Sequence, residues 1–407
     1  MESPGYASIR DAGRAGRCSD VTVESITGWQ RPAENTIEAL RHGITHCDGI
    51  EFDLRLTTDG KLMLYHDNCL PDDVVESSGL NHWTEDNSSE ELAEIGVASF
   101  AELLSDAVVI EAWREHAKVA CVELKMPHPR TKNGGAVTAK KREDFAVRMA
   151  ILADEMLHEV ELPKGSAVLW SFKRNFKKSC NKAEVRIPVA QLKPHIPEYG
   201  STTVKRIVAL PSFMWLSLPL HMRIQKRAGA PMLPCALEYL SGWTRHITFG
   251  QTVGLSGYTG DRLTRLRKGY QAYVWPVPFS IERAVSDLGL TAVSDHSEPD
   301  IWSTPEGGVR WPRWASQPLD ADWISTMNAA SVDEHESLIK QATASLSHWH
   351  EMNDAERRDF LDSWRKRWQW GRSLDELCND AAPERMPWEA SRLIGHRGAG
   401  RTSGRKH

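Results

Sequence analysis

The chain has 407 residues, a formal net charge of −5, 41% hydrophobic residues and 26% charged residues. That length fills one large domain or two ordinary ones, and the composition is globular, which excludes a wholly disordered or fibrous chain. A mildly acidic total also speaks against nucleic-acid binding as the main task, because neutralising phosphates needs a basic face.

In chain order, residues 1–25 are polar, carry Arg10, Arg14 and Arg17, and lack the apolar core of a signal peptide. They read as a flexible arm. No stretch approaches the roughly 20 apolar residues that span a bilayer. The seven cysteines are scattered and form no CxxC pair, as expected of reduced thiols in a cytoplasmic protein. From residue 26 to about 300, short apolar runs alternate with helical windows. Strands are expected at Gly49–Leu56, Lys61–His66, Val119–Lys125, Ala167–Phe172, Ile187–Leu192, Ala272–Val277 and Ala292–Asp295. Helices are expected at Thr36–His46, Phe100–His116, Lys141–His158 and Ser280–Leu288. Alternating β and α units imply an α/β fold with a parallel sheet, open or closed into a barrel.

Residues 200–250 interrupt this rhythm with the apolar run Leu210–Leu220, followed by Arg223, Lys226 and Arg227. A lid over an apolar substrate, a weak membrane-surface contact or an ordinary packed excursion all fit that pattern. Residues 301–390 hold nine of the 16 tryptophans: Trp302, Trp311, Trp314, Trp323, Trp349, Trp364, Trp368, Trp370 and Trp388. That segment reads as helical. Ser331 with Glu334 and Ser373 with Glu376 have capping-box spacing, and Asp354 is placed to cap a helix. A basic cluster at Arg365, Lys366, Arg367 and Arg372 would complement a helix C-terminus.

The chemistry concentrates early. Glu51 and Asp53 stand two apart on a strand, so both side chains leave one face, and two carboxylates converging there ask for a hard divalent cation. Asp59-Gly60 signals a turn, and His66-Asp67 ends the next apolar run. Glu123 then offers a third carboxylate, with Lys125 on the same face as a fixed positive charge. Carboxylates, a lysine and a histidine at strand C-termini make a site for a phosphate ester in a barrel mouth.

Taken in order, AENT, GIEFDLRLTTDGKLMLYHD, VELK, WSF, VAQL, YVWPV and AVSDHSEPD resemble the glycerophosphodiester phosphodiesterase family over residues 33–300. The resemblance implies a TIM (β/α)8 barrel, one divalent cation (Mg²⁺ or Ca²⁺) and cleavage of a small phosphodiester. It makes Glu51, Asp53 and Glu123 metal ligands, His66 a catalytic acid/base and Lys125 a phosphate contact. Ser171 and Phe172 would end a barrel strand, and Trp275 would line the pocket. The family opens with a strand ending in His-Arg-Gly, which is missing ahead of Ala33. Instead, Leu393-Ile394-Gly395-His396-Arg397-Gly398 follows near the C-terminus. The chain is therefore expected to be a circularly permuted barrel. Residues 26–300 would supply strands 2 to 8, residues 301–390 a Trp-rich helical connector, and residues 391–407 strand 1 with the catalytic loop. The first strand would lie between the second and the eighth, within one chain or swapped between two.

The resemblance makes His396 the second catalytic histidine and Arg397 a phosphate contact. The two histidines would face each other across the phosphorus, one removing the nucleophile's proton and the other protonating the leaving oxygen. Two rival readings are a lysophospholipase D or sphingomyelinase D-like enzyme acting on a lipid diester, and a non-catalytic barrel that binds a phosphorylated ligand. The residues do not specify the oligomeric state.

Overall fold

The computed structural model describes residues 30–192, 207–297 and 392–402, apart from isolated positions, and scattered residues between 326 and 359. Two compact units emerge: Met1–Arg31 with His296–Gly371, and Pro32–Asp295 with Arg372–His407.

The larger unit grows from helix α1 (Ile37–His46) and strand β1 (Gly49–Leu56). Thr36 starts α1 by accepting a hydrogen bond from the Ala39 amide at 3.2 Å, a cap of the kind that contributes about 1 kcal/mol. The apolar residues of β1 fall on alternate positions. Ile50, Phe52 and Leu54 pack outward against the helices, so Gly49, Glu51 and Asp53 face inward. Strand β2 (Leu62–Leu64) folds back antiparallel on β1. The remaining strands are β3 (Val119–Leu124), β4 (Ala167–Ser171), β5 (Val189–Gln191), β6 (Leu233–Ala236), β7 (Ala272–Val277), β8 (Thr291–Ser294) and β9 (Leu393–Gly395).

Eight strands form one parallel sheet in the order β5-β4-β3-β1-β9-β8-β7-β6, a nearly closed barrel. The last strand of the chain, β9, pairs parallel with β1 on one side and β8 on the other. The strand order is thus permuted, and β9 enters the barrel of its own chain. Val119, Cys121, Val168, Trp170, Tyr273, Val293 and Ile394 fill the barrel interior. Two further apolar layers lie between the strands and the outer helices. These include α2 (Phe100–Ser105), α3 (Ala107–Glu115), α4 (Ala139–Glu159), α5 (Phe176–Lys182), α6 (Leu218–Arg227), α7 (Gly257–Arg267) and α8 (Phe279–Asp287).

Glycine makes the join at β9 close. A Cβ on Gly398, whose φ is +86°, would lie 2.4 Å from the Ala39 carbonyl, and one on Gly43 would lie 2.5 Å from the Gly398 carbonyl oxygen. The loop after β9 is also tied to the segment ahead of α1. The Asn35 amide donates to the Arg397 carbonyl at 3.1 Å. The Thr402 amide donates to Glu34 at 2.9 Å, and the Glu34 amide donates to Thr402 Oγ1 at 2.9 Å.

The sequence expectations need several corrections. The run Lys61–His66 is the outer arm of a hairpin and not a barrel strand. The missing barrel strand is Leu233–Ala236, inside the segment read as an insertion. Pro234, which has no amide hydrogen to donate, sits on this strand at the open edge of the sheet, paired with β7. The helix expected over Phe100–His116 is two helices, because Asp106 breaks the run and caps α3 by accepting from the Val109 amide at 3.0 Å.

In the smaller unit, Ser331 and Glu334 close a single 3₁₀ turn through bonds of 2.7 Å. The cap expected at Asp354 falls one residue earlier, since Asn353 Oδ1 accepts from the amides of Ala355 and Glu356. All nine tryptophans of residues 301–390, the Ser373–Glu376 box, the Arg365–Arg372 cluster and the arm at 1–25 lie outside the described residues. Among the described residues, no helix is long and apolar enough to cross a membrane.

Candidate active site at the mouth of the barrel

The inward-facing positions are apolar in mid-strand and become polar at the C-terminal ends. On β1 the sequence reaches Glu51 and Asp53, and on β3 Cys121 leads to Glu123. Past β8, Val293 leads to Asp295, and past β9, Ile394 leads to His396. Parallel pairing sets Asp53 directly beside Glu123. The result is a buried cluster in which one carboxylate oxygen each from Glu51, Asp53 and Glu123 lies within 4.8 Å of the others.

Three cationic or amide groups hold this cluster. Lys125 Nζ lies 2.9 Å from Asp53 Oδ1 and 2.7 Å from Glu123 Oε1. Asn35 donates from Nδ2 to Asp53 Oδ2 at 2.9 Å and accepts from the Asp53 amide at 3.0 Å. Arg397 donates its amide to Glu51 Oε2 at 3.1 Å and its Nη1 to Glu34 at 2.8 Å. Its Nε lies 3.6 Å from Asp53.

Two histidines share one design. His396 Nδ1 meets Asp295 Oδ1 at 2.5 Å, and its Nε2 lies 3.7 Å from Glu51. Arg401 fixes Asp295 from behind, through Nε at 2.7 Å. His66 Nδ1 meets Asp67 Oδ1 at 2.7 Å. A carboxylate on Nδ1 selects the tautomer with its proton there and leaves Nε2 for chemistry. Arg55 locks the backbone of His66, donating to its carbonyl from Nη2 at 2.6 Å and from Nε at 3.2 Å. Arg55 is paired in turn with the buried Glu85.

The electrostatics follow from burial and charge. Burial, joined by Asp53 and Glu123, holds Glu51 well above the usual glutamate range. Burial also pushes on Asp53, but Lys125, His66, Arg397 and the Asn35 bond outweigh it and hold Asp53 far below the usual aspartate range. Burial and Asp53 raise Glu123 despite Lys125. Burial opposes the charge on Lys125, yet Asp53 and Glu123 together raise it. Partial burial and Lys125 lower His66 to about 4. Burial is overcome at Asp295 by His396 and Arg401, which keep it ionised well below the usual range.

Glu51, Asp53, Glu123, Lys125, Arg397 and His396 therefore share one contact network. His66 faces the same charges from the end of the β1–β2 hairpin, since Asp53, Lys125 and Arg397 all act on it. Trp275 is the last inward-facing residue of β7 and meets Phe172 edge-on, with ring centroids 5.8 Å apart. Sequence reasoning missed the supporting residues Glu34, Asn35, Asp67, Asp295 and the Arg55–Glu85 pair. Five of these six residues lie inside the family-like motifs, but an orienting role shows only when the partner atom is known. Glu85 carried no signal at all.

Residues 25–216 match the model of the glycerophosphoryl diester phosphodiesterase family. No curated protein matches the chain. Several solved structures are similar to it. A glycerophosphodiester phosphodiesterase from Parabacteroides distasonis is 17% identical, with 66% of this chain and 88% of that chain covered and a TM-score of 0.43. An Oleispira antarctica phosphodiesterase in complex with the product sn-glycerol-3-phosphate is 15% identical, with 66% and 89% covered and a TM-score of 0.41. A glycerophosphodiester phosphodiesterase from Thermotoga maritima is 18% identical, with 62% and 84% covered and a TM-score of 0.36.

Proposed function

We propose that this chain, whose residues 25–216 match the glycerophosphoryl diester phosphodiesterase family model, is a phosphoric diester hydrolase that cleaves a small glycerophosphodiester-like substrate by two-histidine acid/base catalysis. The observation that carries the reading is the placement of His396 by the last strand. Its Nε2 lies 3.7 Å from Glu51 and its Nδ1 is held by Asp295.

The donor set fits a divalent cation, because three hard carboxylate oxygens within 4.8 Å of one another match the span of ligands around one Mg²⁺ or Ca²⁺ ion. Bound there, the ion would supply a Lewis acid for a phosphoryl oxygen and for a substrate hydroxyl. The chain's own residues perform the remaining tasks. Arg397 and Lys125 balance the charge of the phosphoryl group from the two flanks of the acidic cluster. Trp275 and Phe172 form an aromatic wall beside it. Of His396 and His66, one takes the proton of the attacking hydroxyl as the new P–O bond forms. The other gives its proton to the departing oxygen as the old P–O bond breaks. Asp295 and Asp67 fix the two rings so that each Nε2 faces the reacting group.

The test is hydrolysis of a panel of soluble glycerophosphodiesters with Mg²⁺ and with Ca²⁺. His396→Ala should keep the fold and lose a hundredfold or more in rate, roughly the scale of one general acid/base group. Unchanged turnover in that variant overturns the mechanism. A wild-type chain that binds phosphate esters but turns none over makes the barrel a binding module instead.

A further inference from the structure

The large apolar side chains left exposed in this fold are not scattered. Ile207, Trp215, Trp243, Phe249 and Tyr258 are between 52% and 71% exposed, and they lie in the two connections from β5 to β6 and from β6 to β7. Among the described residues, only Val108 of the large exposed apolar side chains falls outside these connections. The strands are parallel, so both connections leave the barrel at the end that carries Glu51, Glu123 and His396. Trp215 stands just ahead of α6, Trp243 and Phe249 follow β6, and Tyr258 sits in the first turn of α7. All four positions are on the side of the mouth.

The patch is built rather than frayed. The Phe249 amide donates to the Met214 carbonyl at 2.7 Å, which ties the two connections together. The rings of Trp215 and Phe249 pack at 4.8 Å. Two residues earlier, Phe213 is fully buried against Tyr239 at 4.4 Å. Phe213 therefore takes the core position, and Trp215 is presented outward. Contiguous exposed apolar surface on a soluble fold marks a site of interaction.

Charge selects the occupant. In a chain of net charge −5, the rim side of these connections carries Arg245 after β6 and Arg265 beside Arg262 at the Tyr258 ring, against Asp261 and the buried Glu238. The guanidinium of Arg262 lies over the Tyr258 ring at 4.6 Å. Tryptophan, tyrosine and phenylalanine beside arginine form the side-chain set that settles at a lipid headgroup boundary and is drawn there by anionic lipid. We infer that this aromatic and basic rim docks the barrel mouth onto an anionic lipid surface, which adds lipid-borne diesters to the soluble ones it receives. The choice of substrate rests on the phosphodiesterase reading, whereas the docking does not.

Cosedimentation of the full chain with vesicles tests the docking. Phosphatidylglycerol mixed with phosphatidylcholine should retain the wild type, and phosphatidylcholine alone should retain much less. The double variant Trp215→Ser with Phe249→Ser should lower partitioning onto the anionic vesicles by about tenfold or more. The same variant should hydrolyse soluble glycerophosphocholine as the wild type does, and should lose a similar factor on lysophosphatidylcholine carried in those vesicles. Absence of wild-type cosedimentation overturns the inference, and so does equal cosedimentation of the variant or undiminished hydrolysis in vesicles. A concentration-dependent dimer that the variant loses, with no vesicle binding, assigns the surface to a second copy and also overturns it. If no diester is hydrolysed at all while vesicle binding still depends on Trp215 and Phe249, the phosphodiesterase reading fails and the docking stands.

Discussion

The Arg55–Glu85 pair supports one quantitative prediction. Its side chains are 5% and 0% exposed, so both charges have left water and each depends on the other. Removing one partner leaves a buried charge without compensation, which costs about 3–5 kcal/mol, whereas replacing both with apolar residues of similar volume is often close to neutral. Here the double replacement is not neutral, because Arg55 also supplies two hydrogen bonds to the His66 carbonyl. Losing a charged donor to a buried carbonyl costs about 1.5–3 kcal/mol. Glu85→Ala should therefore lower unfolding free energy by about 3–5 kcal/mol. Arg55→Met with Glu85→Leu should recover part of that and should still be slow in catalysis, because His66 has lost its anchor. Chemical denaturation of Arg55→Met, Glu85→Leu and the double variant completes the cycle, with turnover measured on the folded fraction of each. A Glu85→Ala protein destabilised by less than about 1 kcal/mol, or a double variant with full activity, refutes the reasoning.

Three other outcomes follow from the site and its join. Asp53→Asn should abolish tight divalent-cation binding in calorimetry while leaving the circular dichroism spectrum unchanged, because it removes one charge from a preformed carboxylate set. Gly398→Ala should destabilise the fold by about 1–3 kcal/mol in thermal or chemical melts, since its Cβ would overlap the Ala39 carbonyl at 2.4 Å and the backbone φ is +86°. In the cation-free protein, the raised Glu51 lets the native state bind a proton that the unfolded state releases near 4.5. Stability should therefore fall as pH rises from 4.5 through the raised value, and added Mg²⁺ should remove the fall as it displaces that proton. Melts with a chelator and with Mg²⁺ across pH 4 to 9 (roughly the span of carboxylate shifts) check the sign.

Legibility of the fold followed the strength of local pattern. The alternation in Gly49–Leu56 and the unbroken apolar run in Ala272–Val277 are strong enough to give both strands to the residue. That alternation alone puts Glu51 and Asp53 on one face of the strand. Leu233–Ala236 was lost because a four-residue strand with a central proline has neither length nor alternation. Its place as a strand comes from pairing with β7, a tertiary fact. The same limit applies to Glu85, Asp67 and Asp295, whose purpose is set by the atom each one touches and not by its neighbours in sequence. His396 was different: a complete motif in an unexpected place pointed to its own missing partners.

The permuted order has a physical cost that the site helps to offset. In an ordinary βαβ unit a strand meets its neighbour after roughly 30 residues. Here the Leu393 amide meets the Asp48 carboxylate across 345 residues. Because loop-closure entropy grows as the logarithm of length, the longer closure costs only about 2 kcal/mol more. Against it stand a strand paired on both sides, with Leu393 and Ile394 fully buried, and a loop tied to Glu34 and Asn35 by four hydrogen bonds. Those bonds reach from the acid cluster's own support to the loop that holds His396 and Arg397. The contacts that dock the last strand are therefore also the contacts that bring the histidine to Glu51. A chain in which β9 is undocked lacks barrel closure and the approach of His396 to Glu51 together, so loss of either should accompany loss of the other.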